Sequence, residues 1–423
     1  MKKIMIMISF MGLILGPLYS QSYSDREIIR LEKNPQVIQS ILELNLDLLM
    51  EIEGKLYVVA SPDDILALGN RNIPYAIESH KFYPSGRDAL AIQGGVIGDF
   101  HSYPELERDL MELADTYPEL AQVVDIGDSL EQRNIYALKI SDNVGMQEDE
   151  ASVIFLGCHH AREWISIEVP YLLGKYLVEN YATDPEVNRL VNNCEIWIVP
   201  LVNPDGLEYS IHFYRYWRKN MRDNGNGTFG VDLNRNYGYM WGYDNLGSSP
   251  YPEAEVFRGE SPFSEPESRA VRDLFERVDF QAMISYHSYS QLILYPWGYT
   301  ETLSEENDTL SAIGNAMSQL MEPVNGRYYE AAPAGAGLYL TNGDTTDWSF
   351  GVYGIPSYTI ELPPTSNITG EFFNAESDIQ PIFAENLPAA LYLIDWCIKE
   401  YPSQTQGSAR PARLQKRKIF TIK

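Results

Sequence analysis

Two short runs of this chain carry no charged or hydroxyl side chain: Val153-Ile154-Phe155-Leu156 and Ile196-Trp197-Ile198-Val199. A strand with one wet face alternates apolar and polar residues, so a run that is apolar throughout needs cover on both faces. The stretch 164–181 lies between the two runs and reads as a helix. Further strands are predicted at 282–286 and 357–362, and helices at 102–117 and 378–399. In the earlier of these helices Leu106, Leu110, Leu113 and Ala114 share one face. Buried strands alternating with helices specify an α/β fold, with helices packed on both faces of a central sheet.

A chain of 423 residues is long enough for that domain and a smaller one. Lys2 and Lys3, an apolar run over 4–18, and the small residues Ser20 and Ser22 have the form of a secretory signal over 1–20. The run is short for a membrane span, so the mature protein is expected to be secreted, extracellular or periplasmic, with no membrane anchor. Residues 21–90 read as a small α+β unit and a linker. The unit should hold a helix at 35–45, a strand pair within 48–59, a short helix at 62–69 and a strand at 74–77. The polar linker carries Pro84-Ser85-Gly86-Arg87, where an exposed arginine suits a processing protease. The main domain is assigned to 91–401, and 402–423 to a flexible basic tail.

A formal net charge of -27 repels nucleic acid and anionic membrane, which excludes both as partners. The three cysteines, Cys158, Cys194 and Cys397, leave at least one thiol unpaired. Cys158 and Cys194 stand in strand-like runs and read as core thiols, although one bridge stays open on sequence alone.

Six histidines occur in the whole chain. Two histidine sites directly follow predicted strands, where open α/β sheets place their ligands. One is Gly157-Cys158-His159-His160-Ala161-Arg162-Glu163-Trp164 and the other is Ser285-Tyr286-His287-Ser288-Tyr289. His160 and Glu163 form an H-x-x-E pair on one turn, and the distant His287 can complete a set of two imidazoles and a carboxylate. Such a set holds zinc tetrahedrally with a fourth position open for water. By itself H-x-x-E is a weak signal, His159 could replace His160, and a histidine at a strand end is more often a satisfied polar residue.

The surrounding motifs resemble those of the zinc carboxypeptidases of the carboxypeptidase A and B type. They are His-Ala-Arg-Glu-Trp-Ile-Ser at 160–166, Tyr-Trp-Arg-Lys at 216–219, Gly-Val-Asp-Leu-Asn-Arg-Asn at 230–236, Ser-Tyr-His-Ser-Tyr-Ser-Gln at 285–291, Asp-Trp-Ser at 347–349 and Tyr-Thr-Ile-Glu-Leu at 358–362. They stand in family order across residues 98–401. The resemblance implies a mixed central sheet flanked by helices, one zinc ion, and removal of the C-terminal residue from peptides. It implies that His160, Glu163 and His287 hold zinc and that Asp232 orients the first of these histidines. Glu361 matches the general base and Arg218 the residue that stabilises the oxyanion. Arg235 and Asn234 match the group that holds the substrate's terminal carboxylate, Tyr339 the tyrosine that caps it, and Arg162 and Tyr289 the next subsites.

The side-chain pocket is implied to include Leu294, Gly298, Ala334, Thr341, Asp344, Thr346 and Thr359. Thr346 stands where the family's base residue sets specificity, and a threonine neither repels apolar groups strongly nor neutralises a cation. Asp344 near the wall could meet a lysine or arginine. Broad specificity is therefore expected, hydrophobic residues preferred and basic ones accepted, a combination similar to the bacterial carboxypeptidase T branch. The small unit before residue 98 resembles a shortened propeptide, which makes the enzyme a zymogen, a monomer whose partners are peptide C-termini and its own prosegment. Calcium is a secondary expectation at Asp223-Asn224-Gly225-Asn226-Gly227, but the run lacks a complete calcium-loop pattern and a plain turn is preferred. A murein-peptide hydrolase on the same scaffold and a non-catalytic peptide binder are the competing readings. The arginine and tyrosine set argues against the first, and the intact Glu361 and zinc ligands argue against the second.

Overall fold

The computed structural model describes residues 27–77 except 45, 53 and 54, and residues 98–401 except 147, 364–371 and 373. The expected secretory signal, the linker with Arg87 and the basic tail lie outside the described residues.

Strand β7 (Ala151–Gly157) is buried at every position, as are β8 (Cys194–Val199) and β9 (Ala282–Ser288). Alternate side chains of β7 enter two separate cores. Val153 and Phe155 pack into one, Ile154 and Leu156 into the other. The first core takes in helices α3 (Tyr103–Thr116), α4 (Ile165–Asn180), α5 (Pro185–Val191), α6 (Pro204–His212), α8 (Asn307–Asn325) and α11 (Ile379–Glu400). The second takes in α7 (Pro266–Arg277) and α10 (Thr345–Tyr353). The two-sided cover expected from the apolar runs is thus present.

Among the described residues of this unit, eight strands form one sheet in the order β11-β10-β12-β9-β7-β8-β6-β5. The added members are β5 (Ala121–Asp128), β6 (Asn134–Ile140), β10 (Leu292–Tyr295), β11 (Glu330–Pro333) and β12 (Ser357–Leu362). Strands β8, β7, β9 and β12 run parallel, while β6 joins β8, and β10 joins β12, antiparallel. The sheet is therefore mixed, as expected. The predicted helices at 102–117, 164–181 and 378–399 are α3, α4 and α11 to within a residue or two.

The small unit is a four-stranded antiparallel sheet ordered β2-β3-β1-β4, made of β1 (Glu27–Glu32), β2 (Asp47–Ile52), β3 (Lys55–Ala60) and β4 (Tyr75–Ile77). Helices α1 (Pro35–Leu44) and α2 (Pro62–Asn70) accompany it, and Ile29, Leu31, Val37, Val58 and Leu68 form its own core. Strand β1 is the element that the sequence reading omitted.

Gly157 ends β7 at a point of close backbone approach. A Cβ there would lie 2.2 Å from the Ser166 carbonyl oxygen and 2.7 Å from that of Pro200, so any side chain would force the strand end off α4. Cys158 follows with φ 52°, a left-handed turn that is costly for a non-glycine residue. All three cysteines are buried and none is in a disulfide, as core thiols should be.

Replacing Phe155 by alanine should remove about 3 to 5 kcal/mol of stability in urea unfolding, because its whole ring is buried between β7 and the helices. Leu320→Ala, on the exposed side of α8, should change stability by no more than about 0.5 kcal/mol.

Candidate metal centre and active site

The parallel strands β7, β9 and β12 bring their carboxyl ends together, with Gly157 opposite Tyr286 and Glu361 opposite His287. The chain leaving β7 makes one tight turn before α4. In it the Glu163 amide donates to the His160 carbonyl at 3.2 Å, and Ser166 Oγ donates to the Glu163 carbonyl and accepts from the Cys158 amide. That turn puts His160 and Glu163 on one side, facing His287 across the strand ends.

His160 Nδ1 lies 2.8 Å from Glu163 Oε1, His287 Nδ1 lies 3.0 Å from Glu163 Oε2, and the two Nδ1 atoms are 3.1 Å apart. These three buried residues form one of two clusters among the described residues whose donor atoms gather closely enough for one ion. On its far side His160 Nε2 meets Asp232 Oδ1 at 3.1 Å. A carboxylate only accepts, so Nε2 carries the proton, and a metal held between Nδ1 and Glu163 would take the Nδ1 lone pair. Burial and nearby Arg218 hold His160 below the ordinary histidine range, in the neutral form that ligates. Burial alone would raise Glu163, but His160 and His287 outweigh it and keep the carboxyl well below the usual range. Two neutral-capable imidazoles and an ionised carboxylate converging on one point fit zinc.

Asp232 also accepts from Arg218 Nε at 3.0 Å and Nη2 at 2.9 Å, leaving the Nη1 edge of that guanidinium toward Glu163 at 4.0 Å. Through its Oδ1 it caps the short helical turn Leu233–Arg235, accepting from the Asn234 amide at 3.0 Å. Arg235 is buried, with Nε donating to the Gly247 carbonyl and Nη1 to the Asn234 carbonyl, both at 2.8 Å. Glu361 is partly buried beside His287. Burial raises its carboxyl, His287 lowers it and Glu163 raises it, and the balance stands at about 8. A dication at the cluster would draw that value down.

The residues implied for the side-chain pocket lie in two groups. A Cβ on Gly298 would lie 2.2 Å from Thr341 Oγ1, 3.2 Å from Asp344 Oδ2 and 3.6 Å from Ala334 Cβ, so these four line one space. Thr346 and Thr359 share a hydroxyl hydrogen bond of 2.7 Å, and Leu294 pairs with Thr359 across the strands. Arg162 lies over the Phe372 ring at 4.3 Å and Tyr289 meets the same ring at 5.0 Å. Tyr339 follows the short helix α9 (Ala334–Gly337) and is 45 % exposed, yet near enough to Arg235, Arg218 and Glu361 for their charges to act on its phenol.

Several contributors escaped the sequence reading. Asp347 accepts from the Gly298 amide on both oxygens and from the Tyr299 amide, so it holds the back of the pocket. Its motif, Asp-Trp-Ser, was visible without a role. Thr345 donates from its backbone and hydroxyl to Asn234 Oδ1. Phe372 stood in no motif. His159, the rival ligand, is buried outside the metal cluster, with Nε2 at 2.9 Å from the Tyr237 hydroxyl. The run considered for calcium is a turn whose side chains bind their own backbone: Asp223 Oδ1 accepts from the Gly225 amide and Asn226 Oδ1 from that of Thr228.

Comparison with known proteins gives the same reading. The family model described as zinc carboxypeptidase matches residues 106–389. Carboxypeptidase O of Bos taurus is 33 % identical over 319 residues, which cover 74 % of this chain and 82 % of that protein. Carboxypeptidase B of Astacus astacus is 36 % identical over 275 residues, or 63 % of this chain and 88 % of that protein. A crystal structure of thrombin-activatable fibrinolysis inhibitor superposes with a TM-score of 0.74 at 26 % identity, covering 89 % of this chain and 99 % of the other. The chain belongs to the zinc carboxypeptidase family, and it is a zinc-dependent metallocarboxypeptidase, an exopeptidase acting on peptide C-termini.

Proposed function

We propose that this enzyme is exported as a zymogen and removes single C-terminal residues of broad type, with Glu361 as its general base. The observation that carries the proposal is the placement of Glu361 next to His287 at the strand ends, with Arg218 and Arg235 close enough to perturb its carboxyl. Zinc, when bound by His160, Glu163 and His287, polarises the scissile carbonyl and acidifies a water. Glu361 takes the proton from the attacking water and delivers it to the departing amine as the carbon–nitrogen bond breaks. Arg218, whose Nη1 lies 4.0 Å from Glu163, supplies the donor for the negative charge that collects on the former carbonyl oxygen. Arg235 and Asn234 grip the free carboxylate, which makes the enzyme cut one residue from the end. Tyr339, exposed beside the pocket, closes over the bound terminus, and Arg162 and Tyr289 meet the residues upstream.

Gly298 and Ala334 bring no bulk of their own to the pocket wall, which favours acceptance of large apolar side chains, while Asp344 supplies the acceptor for a basic one. Among the described residues no helix is long and apolar enough to cross a membrane. The structural match covers 89 % of the chain, more than residues 98–401 alone supply, so it extends into the small unit. That agrees with a prosegment released by cleavage in the linker near Arg87.

Glu361→Gln should lower kcat by about 10²- to 10⁴-fold with KM little changed. Elemental analysis should still find one zinc per chain, and a variant of near-normal kcat would remove Glu361 from its role. Asp344→Asn keeps the helix cap of α10 but loses the charge. It should cut kcat/KM for arginine-terminal peptides by about tenfold or more and leave phenylalanine-terminal ones nearly unchanged. Equal effects on both substrates would exclude Asp344 as the basic-residue acceptor. Intact-mass measurement of the active form should give an N-terminus between residues 82 and 98; a start well outside that stretch would rule out the linker as the processing site.

A further inference from the structure

His159 stands beside the first metal ligand, yet its contacts lead to the other histidine. Its ring is fully buried against that of His287, with centroids 5.6 Å apart and planes only 15° apart. The hydrogen bonds around it can be followed proton by proton. The Thr345 amide donates to Asn234 Oδ1 at 3.0 Å, which fixes that atom as the amide oxygen. The Thr345 hydroxyl donates its single proton to the same oxygen at 2.8 Å. Toward His159 Nε2, 3.1 Å away, Thr345 Oγ1 can then only accept. Nε2 of His159 therefore bears the proton, and the Tyr237 hydroxyl at 2.9 Å is a second acceptor for it.

His159 Nδ1 is left with a bare lone pair. It faces Ser285 Oγ at 3.4 Å, the longest link of the chain, and takes that hydroxyl's proton. Ser285 Oγ in turn accepts from His287 Nε2 at 3.1 Å. His287 is thus protonated on Nε2, and Nδ1, the nitrogen facing His160 and Glu163, is the one left to a metal held among the three. The Asn234 amide nitrogen also approaches His287 Nε2, at 3.5 Å, but Ser285 Oγ is the nearer partner of that nitrogen at 3.1 Å.

We infer that His159 is a positioning residue for the metal centre: acting through Ser285, it fixes the tautomer and ring direction of His287 so that Nδ1 is the nitrogen offered to zinc. The inference rests on His287 being a zinc ligand. It gives the centre two unlike supports, an ionised carboxylate behind His160 and a neutral His159–Ser285 chain behind His287.

The test is the zinc affinity of the purified enzyme, measured by competition with a chelator. His159→Phe keeps a flat ring against His287 and removes Nδ1, so affinity should fall by about 10- to 100-fold. His159→Asn, whose amide oxygen can stand in for Nδ1, should stay within about threefold of wild type. Ser285→Ala should show the same loss as His159→Phe, and the double variant should lose little more than either. An unchanged affinity in His159→Phe, an equal loss in His159→Asn, or fully additive losses would each overturn the positioning role. Should His159→Phe fail to fold, Ser285→Ala decides alone, since normal affinity there breaks the chain. His287→Ala separates the two levels. If it abolishes zinc binding while His159→Phe binds normally, only the positioning role falls; if it retains zinc, the ligand assignment itself falls.

Discussion

Asp232 is a carboxylate with no exposed surface, and most of the active site is arranged around it. It accepts from His160, from two nitrogens of Arg218 and from the amide that opens the turn bearing Asn234 and Arg235. Burial by itself would favour the protonated acid. Arg218, His160 and Arg235 outweigh that and hold the carboxyl well below its ordinary range. A buried charge of this kind is tolerable only while its partners stay in place, because removing one leaves an uncompensated ion in a poor dielectric. The same constraint couples three functions. His160, Arg218 and the turn bearing Asn234 and Arg235, proposed above as metal ligand, oxyanion donor and carboxylate clamp, cannot move independently, since each draws on the same two oxygens.

The scaffold supplies that carboxylate with fixed surroundings. Parallel strands of similar length end at one level, so the turn after β7, the end of β9 and the end of β12 meet without long loops. Gly157 permits the closest approach between β7 and α4, and the left-handed Cys158 then changes the chain's direction. As a result His159 and His160, adjacent in sequence, serve opposite sides: one faces the metal cluster and the other lies behind His287. Strain at such a point persists because the surrounding sheet over-determines it.

The legible parts of the fold were those where one physical pattern dominates. Strands β7, β8 and β9 are apolar because both faces are covered, and α3 and α11 repeat their apolar residues at helical spacing. Strands β5 and β6 went unread for the opposite reason. Strand β5 lies at the sheet edge, carries Gln122, Asp125 and Asp128, and its pairing with β6 shifts register between Asp125 and Gly127, so no clean period survives. Strands β10 and β11, at four residues each, are too short to show a period. At the site, the ligands, Asp232 and the arginines were legible through their motifs. His159 was not, because sequence spacing cannot say on which side of a strained turn a side chain falls. Asp347 was missed because its partners are backbone amides of Gly298 and Tyr299, which leave no mark on residue type.

Asp344 and Asp347 bear on the specificity proposed above. Both are buried at the pocket, and burial pushes both carboxyls upward, Asp347 furthest, with Asp344 adding its own repulsion. Asp344 is also engaged on both oxygens, accepting from the Asp347 amide and from Thr341 Oγ1, each at 2.8 Å. A pocket wall built this way carries its negative charge reluctantly when empty, and so repels an apolar side chain less than an open aspartate would. An incoming lysine or arginine favours the ionised form directly. Arg235 draws Asp344 toward ionisation, against the burial that opposes it, and an incoming cation would add to that pull. A wall that is polarised by its guest, instead of permanently charged, would reconcile the two halves of the proposed specificity, acceptance of basic residues and preference for hydrophobic ones.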